Sequence, residues 1–317
     1  MKVIIQIPCF NEAQTLPATV KELPRSLPGV DTVEFLVVDD GSTDGTADVA
    51  RSLGVHHVLS LGSNRGLAGA FSRGIERALQ LGADIVVNTD ADNQYCAADI
   101  EKLLPPILEN RADLVVGSRP IKDHPEFSPI KKLLQRMGSV TLRWISKTDV
   151  RDAASGFRAY SREACLRNFI YSSFSYCMES LIQAGNMGLR VASVDVRVNP
   201  KTRESRLFRS IPQYIWKSGG TMVSMFVLYR PGRFFATIGG AFLAAALAIG
   251  VRFIYLVYFT EHTGRTYLPS LILLAVCALT GFFMILFGIL GELIKFQRRI
   301  AEENLYLQRK RGLTPET

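Results

Sequence analysis

Cysteine is sparse and unpatterned in this 317-residue chain: Cys9, Cys96, Cys165, Cys177 and Cys277 show no metal-type spacing. They fit unpaired thiols in a reducing compartment rather than a zinc or disulfide framework. Histidine is scarcer still, and His56, His57, His124 and His262 form no ligand cluster. No basic stripe interleaved with aromatics occurs in the first 200 residues, so the net charge of +8 does not read as a nucleic-acid interface. A signal peptide is not expected either, because Met1 to Pro8 carries one lysine and an apolar run only from Val3 to Ile7. That run reads as a first strand. Asn64-Arg65-Gly66-Leu67-Ala68-Gly69 lacks the G-x-G-x-x-G spacing, which excludes a dinucleotide-dependent dehydrogenase. Its glycines suit close packing of a helix start on a sheet.

Charge is absent altogether from Leu268 to Gly291, and Arg252 alone interrupts the apolar stretch from Phe234 to Phe259. Each stretch matches the roughly 20 residues that cross a bilayer, about 36 to 39 Å as a helix. Buried core helices are the competing reading, and the length and the Gly-rich, Ala-rich content of residues 239–250 count against it. Thr260 to Tyr267 would join the spans as a tight hairpin, with Arg265 as its one basic residue. Arg230 and Arg233 precede the pair, and Lys295, Arg298, Arg299, Arg309, Lys310 and Arg311 follow it. The positive-inside rule then predicts an integral protein of the cell (inner) membrane with both termini cytoplasmic, its basic flanks meeting anionic headgroups. Arg252 lies near the outer surface, where its side chain can snorkel.

The remainder alternates β-rich runs with helical patterns. Strands are expected at Val3–Ile7, Glu34–Val38, His57–Leu61, Ile85–Thr89 and Leu114–Val116, with helices near 13–23, 45–53, 67–81 and 98–108. This order predicts an α/β domain with a mostly parallel, Rossmann-like sheet, in which ligands bind beyond the carboxyl ends of the strands. The polar punctuation falls there: Pro8 to Glu12, Asp39 to Thr43, Asp90 to Gln94 and Gly117-Ser118-Arg119. Asp90 and Asp92 at a strand mouth suit a hard cation, since Mg²⁺ and Mn²⁺ share oxygen ligands between one or two carboxylates and a nucleotide's phosphates. They equally suit capping of a helix that begins near Ala97. Asp39 and Asp40 can accept hydrogen bonds from a base or a ribose, and the same segment suits a turn followed by a helix cap at Ser42 or Thr43.

Taken together, Pro8-Cys9-Phe10-Asn11-Glu12, Val37-Val38-Asp39-Asp40-Gly41-Ser42-Thr43-Asp44-Gly45-Thr46, Asp90-Ala91-Asp92-Asn93-Gln94 and Asp152-Ala153-Ala154-Ser155-Gly156-Phe157-Arg158 resemble an inverting family 2 glycosyltransferase of the GT-A fold. The last motif is similar to the branch of dolichol-phosphate mannose synthases and bacterial polyprenyl-phosphate glucosyltransferases. The resemblance covers residues 1 to about 210, and two C-terminal spans fit the bacterial architecture. It implies a cytoplasmic GT-A domain over 1–205, interfacial juxtamembrane helices over 206–233, membrane helices within 234–294 and a cytoplasmic basic tail over 295–317. It also implies that Pro8, Phe10, Glu12 and Asp39 border the nucleoside and that Asp40 lies near the ribose. Asp90, Ala91, Asp92 and Gln94 would surround the diphosphate and the Mg²⁺ or Mn²⁺ ion. Arg119, Arg136, Arg203 and Arg206 would hold the acceptor phosphate and the leaving diphosphate; at Arg206 many relatives show Lys, a point charge rather than a planar fork.

The implied reaction transfers a hexose from a UDP-glucose-class or GDP-mannose-class donor to a polyprenyl phosphate, with inversion. Asp90, Asp92, Asp152, Arg119 and Arg203 would carry it. Asp152 would orient an arginine or the sugar and Glu179 the sugar, though a structural salt bridge suits either residue equally. The stretch 128–145 and residues 207–229 read as interfacial amphipathic helices or as core. Gly239 and Gly240 offer a small-residue face for packing between subunits of a homo-oligomer. Two rivals remain: a processive polysaccharide synthase, whose Gln-x-x-Arg-Trp signature lacks its Gln before Arg143-Trp144, and a membrane scaffold with a degenerate transferase domain.

Overall fold

The computed structural model of the protein describes residues 1–120, 143, 146, 148–170, 176–199, 219–220, 223–224, 226–259 and 267–313. They fall into two compact units, Met1–Gly219 with Asn304–Thr317, and Gly220–Glu303. In the first, a seven-stranded sheet runs in the order β3-β2-β1-β4-β6-β5-β7. Its strands are β1 (Lys2–Cys9), β2 (Thr32–Asp39), β3 (His57–Ser60), β4 (Ile85–Asn88), β5 (Leu114–Ser118), β6 (Arg158–Ser161) and β7 (Val191–Asp195). All neighbours pair in parallel except β6, which runs antiparallel to both β4 and β5. The central strands are apolar on both faces, as sheets covered by helices on both sides require: Val3, Ile4, Ile5 and Ile7 of β1 and Ile85, Val86 and Val87 of β4 are all buried.

Around this sheet lie α1 (Leu16–Glu22), α2 (Thr46–Ser52), α3 (Leu67–Gln80), α4 (Ile100–Leu103), α5 (Pro105–Leu108), α6 (Arg162–Leu166) and α7 (Tyr176–Asn186). Helix α3 buries Ala68, Phe71, Ile75, Ala78 and Leu79, a spacing that forms one apolar stripe. The single helix expected over 98–108 is instead a short 3₁₀ turn (Ala97–Asp99) and two four-residue helices. Pro105 and Pro106 have no N–H to continue the ladder and so end α4.

The second unit holds α8 (Pro231–Phe259) and much of α9 (Leu268–Gly312). Both are long and apolar enough to cross a membrane. They pack through small residues: a Cβ at Gly239 would sit 2.8 Å from Gly281 O, and one at Gly281 would sit 2.7 Å from Leu243 Cγ. Gly239 is therefore used inside the hairpin, whereas Gly240 faces open space. The basic tail expected over 295–317 is a continuation of α9 as far as Gly312. From Asn304 onward it belongs to the first unit, where Tyr306 OH donates to Glu163 (3.2 Å) and Arg309 donates to Asn168 O (2.9 Å) and pairs with Glu76 (3.1 Å). Most of 128–145, residues 207–218 and the hairpin loop 260–266 lie outside the described residues.

Candidate active site

Parallel β1, β2, β4 and β5 deliver their carboxyl ends to one edge of the sheet. Because β6 is reversed between β4 and β5, the loop that enters it, Asp152 to Phe157, arrives at that same edge. The fourth motif thus joins the other three through one antiparallel strand that the alternating pattern did not reveal.

Beyond β1, Phe10 is exposed and Glu12 is buried. Asn11 adopts a left-handed conformation (φ 55°), its N–H donates to Ser42 Oγ (2.9 Å), and its side-chain oxygen accepts the Thr43 N–H (2.9 Å). Thr46 Oγ1 accepts the Glu12 N–H (2.9 Å), so the loops after β1 and β2 are laced together. Asp39 accepts the Ser42 N–H at 3.1 Å. Asp40, which the resemblance puts near a ribose, is buried and accepts the Arg65 N–H at 2.7 Å. Burial pushes its carboxyl above the usual range against the backbone N–H groups of Arg65 and Gly66. It supports the loop lying over Gly41, where φ is 74° and a Cβ would meet Ser63 C at 2.7 Å; only glycine fits both conditions.

After β4, the chain turns through Asp90, Ala91 and Asp92. Thr19 Oγ1 holds Ala91 O (2.9 Å), and Asn199 donates to Gln94 O (2.8 Å) and to Asn93 O (3.1 Å). The helical turn at Ala97 has Cys96 at its N-cap and no side-chain cap, so neither Asp90 nor Asp92 acts as a cap. Among the described residues no group of three His, Cys, Asp or Glu side chains could cage a metal. Two carboxylates at an open mouth do fit Mg²⁺ or Mn²⁺, which take the rest of their oxygens from phosphates and water.

At the end of β5, Arg119 meets Asp152 in a two-pronged pair, Nε to Oδ2 at 2.6 Å and Nη2 to Oδ1 at 3.1 Å. Asp152 is 1% exposed and Arg119 21%, so one edge of the guanidinium is held while the group still reaches solvent. Burial opposes its charge, yet Tyr95, Asp152 and Asp90 outweigh burial and raise its pKa. Glu179 is fully buried on α7. Arg136, Arg203 and Arg206 lie outside the described residues.

Several residues here carry no motif signal. Tyr95 stacks on Phe157 (4.9 Å) and accepts the Gly156 N–H (3.2 Å); burial pushes its hydroxyl up to about 12. Asn88 donates to Gly156 O (2.8 Å) and Tyr176 OH (3.0 Å), and accepts from Gln6 Nε2 (2.9 Å). The clue was available in part: Gln6 and Asn88 are polar residues interrupting strands that are otherwise apolar.

A mostly parallel sheet with one reversed strand, paired carboxylates after β4 and a braced arginine after β5 has the form of the GT-A fold. Residues 4–169 match the family model "Glycosyl transferase family 2", and the chain belongs to that family. It is 29% identical over 206 residues to an undecaprenyl-phosphate mannosyltransferase of Micrococcus luteus, covering 62% of this chain and 83% of the relative. It is 30% identical to a UDP-N-acetylglucosamine–dolichyl-phosphate N-acetylglucosaminyltransferase of Methanococcus voltae, covering 60% and 83%. The fold is shared with glucosyl-3-phosphoglycerate synthase from Mycobacterium tuberculosis (TM-score 0.54, 22% identity, 71% of this chain and 78% of the other). That synthase was solved with Mn²⁺, uridine diphosphate and glucosyl-3-phosphoglycerate.

Proposed function

We propose that the enzyme transfers a hexose from a nucleotide sugar of the UDP-glucose or GDP-mannose class to a polyprenyl phosphate at the cytoplasmic membrane face. The observation that carries the reading is the Arg119–Asp152 pair at the mouth that also holds Asp90, in a chain that possesses two membrane-length helices. A polyprenol stays in the bilayer, so its phosphate must be met by a cationic site held at the headgroups. The relatives named for undecaprenyl-phosphate and dolichyl-phosphate transfer support that acceptor class.

An acceptor phosphate monoester, with a second pKa of about 6, is already largely ionised near neutrality and needs little or no general base. One of its oxygens attacks the anomeric carbon from the face opposite the leaving group. The bond from that carbon to the diphosphate oxygen breaks, its electron pair leaves on the nucleoside diphosphate, and the configuration inverts. Arg119, oriented by Asp152, would hold the acceptor phosphate, joined by Arg136, Arg203 and Arg206 as the resemblance implies. Phe10, Asp39 and the loop braced by Asp40 would border the nucleoside. Asp90 and Asp92, with Gln94 alongside, would hold Mg²⁺ or Mn²⁺, which would supply charge neutralisation for the departing diphosphate. The catalytic unit and both termini would be cytoplasmic.

The test is transfer from a panel of nucleotide sugars to a short polyprenyl phosphate with Mg²⁺ or Mn²⁺, using wild type and Asp92→Asn. The variant should remain folded and membrane-bound and lose metal-dependent transfer; turnover near wild type in the purified variant would overturn the assignment.

A further inference from the structure

Among the described residues, Arg158 is the largest fully buried side chain, at 0% exposure, and the hydrogen bonds it makes to them end on neutral oxygens. Its Nε donates to Ser155 O (2.7 Å), Nη2 to Ala153 O (2.9 Å), and Nη1 to both Cys177 O and Ser180 Oγ (2.8 Å each). Burying a cation without a carboxylate is costly, and an apolar side chain of similar volume would fill the same space more cheaply. What an apolar side chain could not do is tie two separate segments together.

Those segments are the loop before β6 and the first turn of α7. The loop carries Asp152, which grips Arg119, and Gly156, whose ideal Cβ position lies 3.2 Å and 3.4 Å from the two Asp90 carboxylate oxygens. The α7 turn carries Tyr176, whose hydroxyl is bonded by Asn88 and lies 2.7 Å from that same ideal position. Arg158 therefore grips the backbone one residue away from Asp152, Gly156 and Tyr176, through the carbonyls of Ala153, Ser155 and Cys177.

We propose that Arg158 is a positioning residue for transfer: its buried guanidinium ties the Asp152–Gly156 loop to the start of α7, and so sets the spacing between the Asp90 carboxylate and the Arg119–Asp152 pair. The inference rests on the function proposed above, which needs the leaving diphosphate and the acceptor phosphate held at a set separation. The side chain itself touches no substrate. Lysine keeps the charge but has no planar fork and cannot reach the two loop carbonyls and the α7 carbonyl together.

The test uses the full chain in detergent or nanodiscs, comparing wild type with Arg158→Lys, Ser180→Ala, and Leu103→Ala as a buried variant that takes no part in these hydrogen bonds. The readouts are kcat and KM for transfer, the thermal midpoint, and Mn²⁺ affinity in the presence of UDP or GDP by electron paramagnetic resonance. Arg158→Lys should lower kcat per folded molecule about tenfold or more, as sub-ångström misplacement does, and weaken Mn²⁺ binding. Ser180→Ala should move both in the same direction by less, while Leu103→Ala lowers the midpoint alone. Wild-type kcat and Mn²⁺ affinity in folded Arg158→Lys, or losses matching those of Leu103→Ala at equal midpoint, would overturn the proposal. If Arg158→Lys does not fold, Ser180→Ala decides, and wild-type values there overturn it. A wild-type chain that binds Mn²⁺ with nucleoside diphosphate but transfers nothing to polyprenyl phosphate defeats the proposed function, while the Mn²⁺ readout still judges Arg158. A wild-type chain that binds no Mn²⁺ under these conditions defeats both.

Discussion

Adding one methyl at Gly156 tests the acidic mouth more sharply than removing a carboxylate. The glycine is not in a left-handed conformation, so the backbone tolerates alanine and only the neighbours object. The new Cβ would lie 2.7 Å from Tyr176 OH and 3.2 Å and 3.4 Å from the Asp90 carboxylate oxygens. Tyr176 cannot easily retreat: it is buried, stacked on Phe71 at 4.1 Å and hydrogen-bonded by Asn88. Asp90 is only partly buried, so it absorbs part of the shift. Overpacking of this kind costs about 1–3 kcal/mol. At roughly 2–4 °C per kcal/mol for a unit of this size, the thermal midpoint should fall by several degrees. Transfer should fall more, by about tenfold to 100-fold, because an ångström of misplacement at reacting groups has that effect. The assay is turnover against Mn²⁺ concentration beside thermal unfolding, and the Mn²⁺ requirement should shift upward. Leu103→Ala, at a fully buried position of α4, serves as control: it costs about 2–5 kcal/mol and should leave the Mn²⁺ curve unmoved. Gly156→Ala with wild-type turnover and an unshifted Mn²⁺ curve would refute the close approach of Gly156 to Asp90 as a functional constraint.

Asp152→Ala should cost about 3 kcal/mol, the lower end for a broken buried pair because Arg119 keeps some solvent access, and should abolish most transfer; a loss of unfolding free energy below about 1 kcal/mol in denaturant titration would contradict the two-pronged geometry. Asp99 gives a pH signature. Burial raises its carboxyl, but the side chain and N–H of Arg197, with Lys102, outweigh burial and bring it to about 2. Since the folded value lies below the unfolded one, this stabilisation is complete above about pH 4 and is lost as pH falls toward 2. Both partners are largely exposed, so roughly 1 kcal/mol remains after screening. Asp99→Asn should therefore be less stable than wild type at pH 6 and converge with it only as pH falls to about 2 and below, and a gap that widens on acidification would reverse the sign.

Periodicity and punctuation made the first half of the sheet legible. Two-sided apolar runs at Val3–Ile7 and Ile85–Val87 can only be central strands, and polar residues clustered after each of them marked the mouth. Absence of charge over residues long enough to span a bilayer made both membrane-length helices readable, with nearly the observed limits for α8 and the observed start for α9. The reversed strand β6 was hidden, since four residues containing a buried arginine show no strand signature. The continuation of α9 past residue 295 was hidden as well, because a charged helix and a charged tail have similar composition.

Which groups meet is a question that spacing along the chain does not answer. Asp90 and Asp92 announce their chemistry locally, because two carboxylates at a strand end suit a hard cation wherever they lie. That Asp152 grips Arg119 across 33 residues, that Gly156 lies against Asp90, and that Arg158 joins the loop to α7 follow only from β6 running backward between β4 and β5. The sequence determined the run of carboxylates at the strand ends and the two membrane-length apolar helices, through local chemistry and hydropathy. The tertiary structure decided which carboxylate faces outward, which braces an arginine and which, as at Asp40, holds a loop, because burial and hydrogen-bond partners are set by non-local packing.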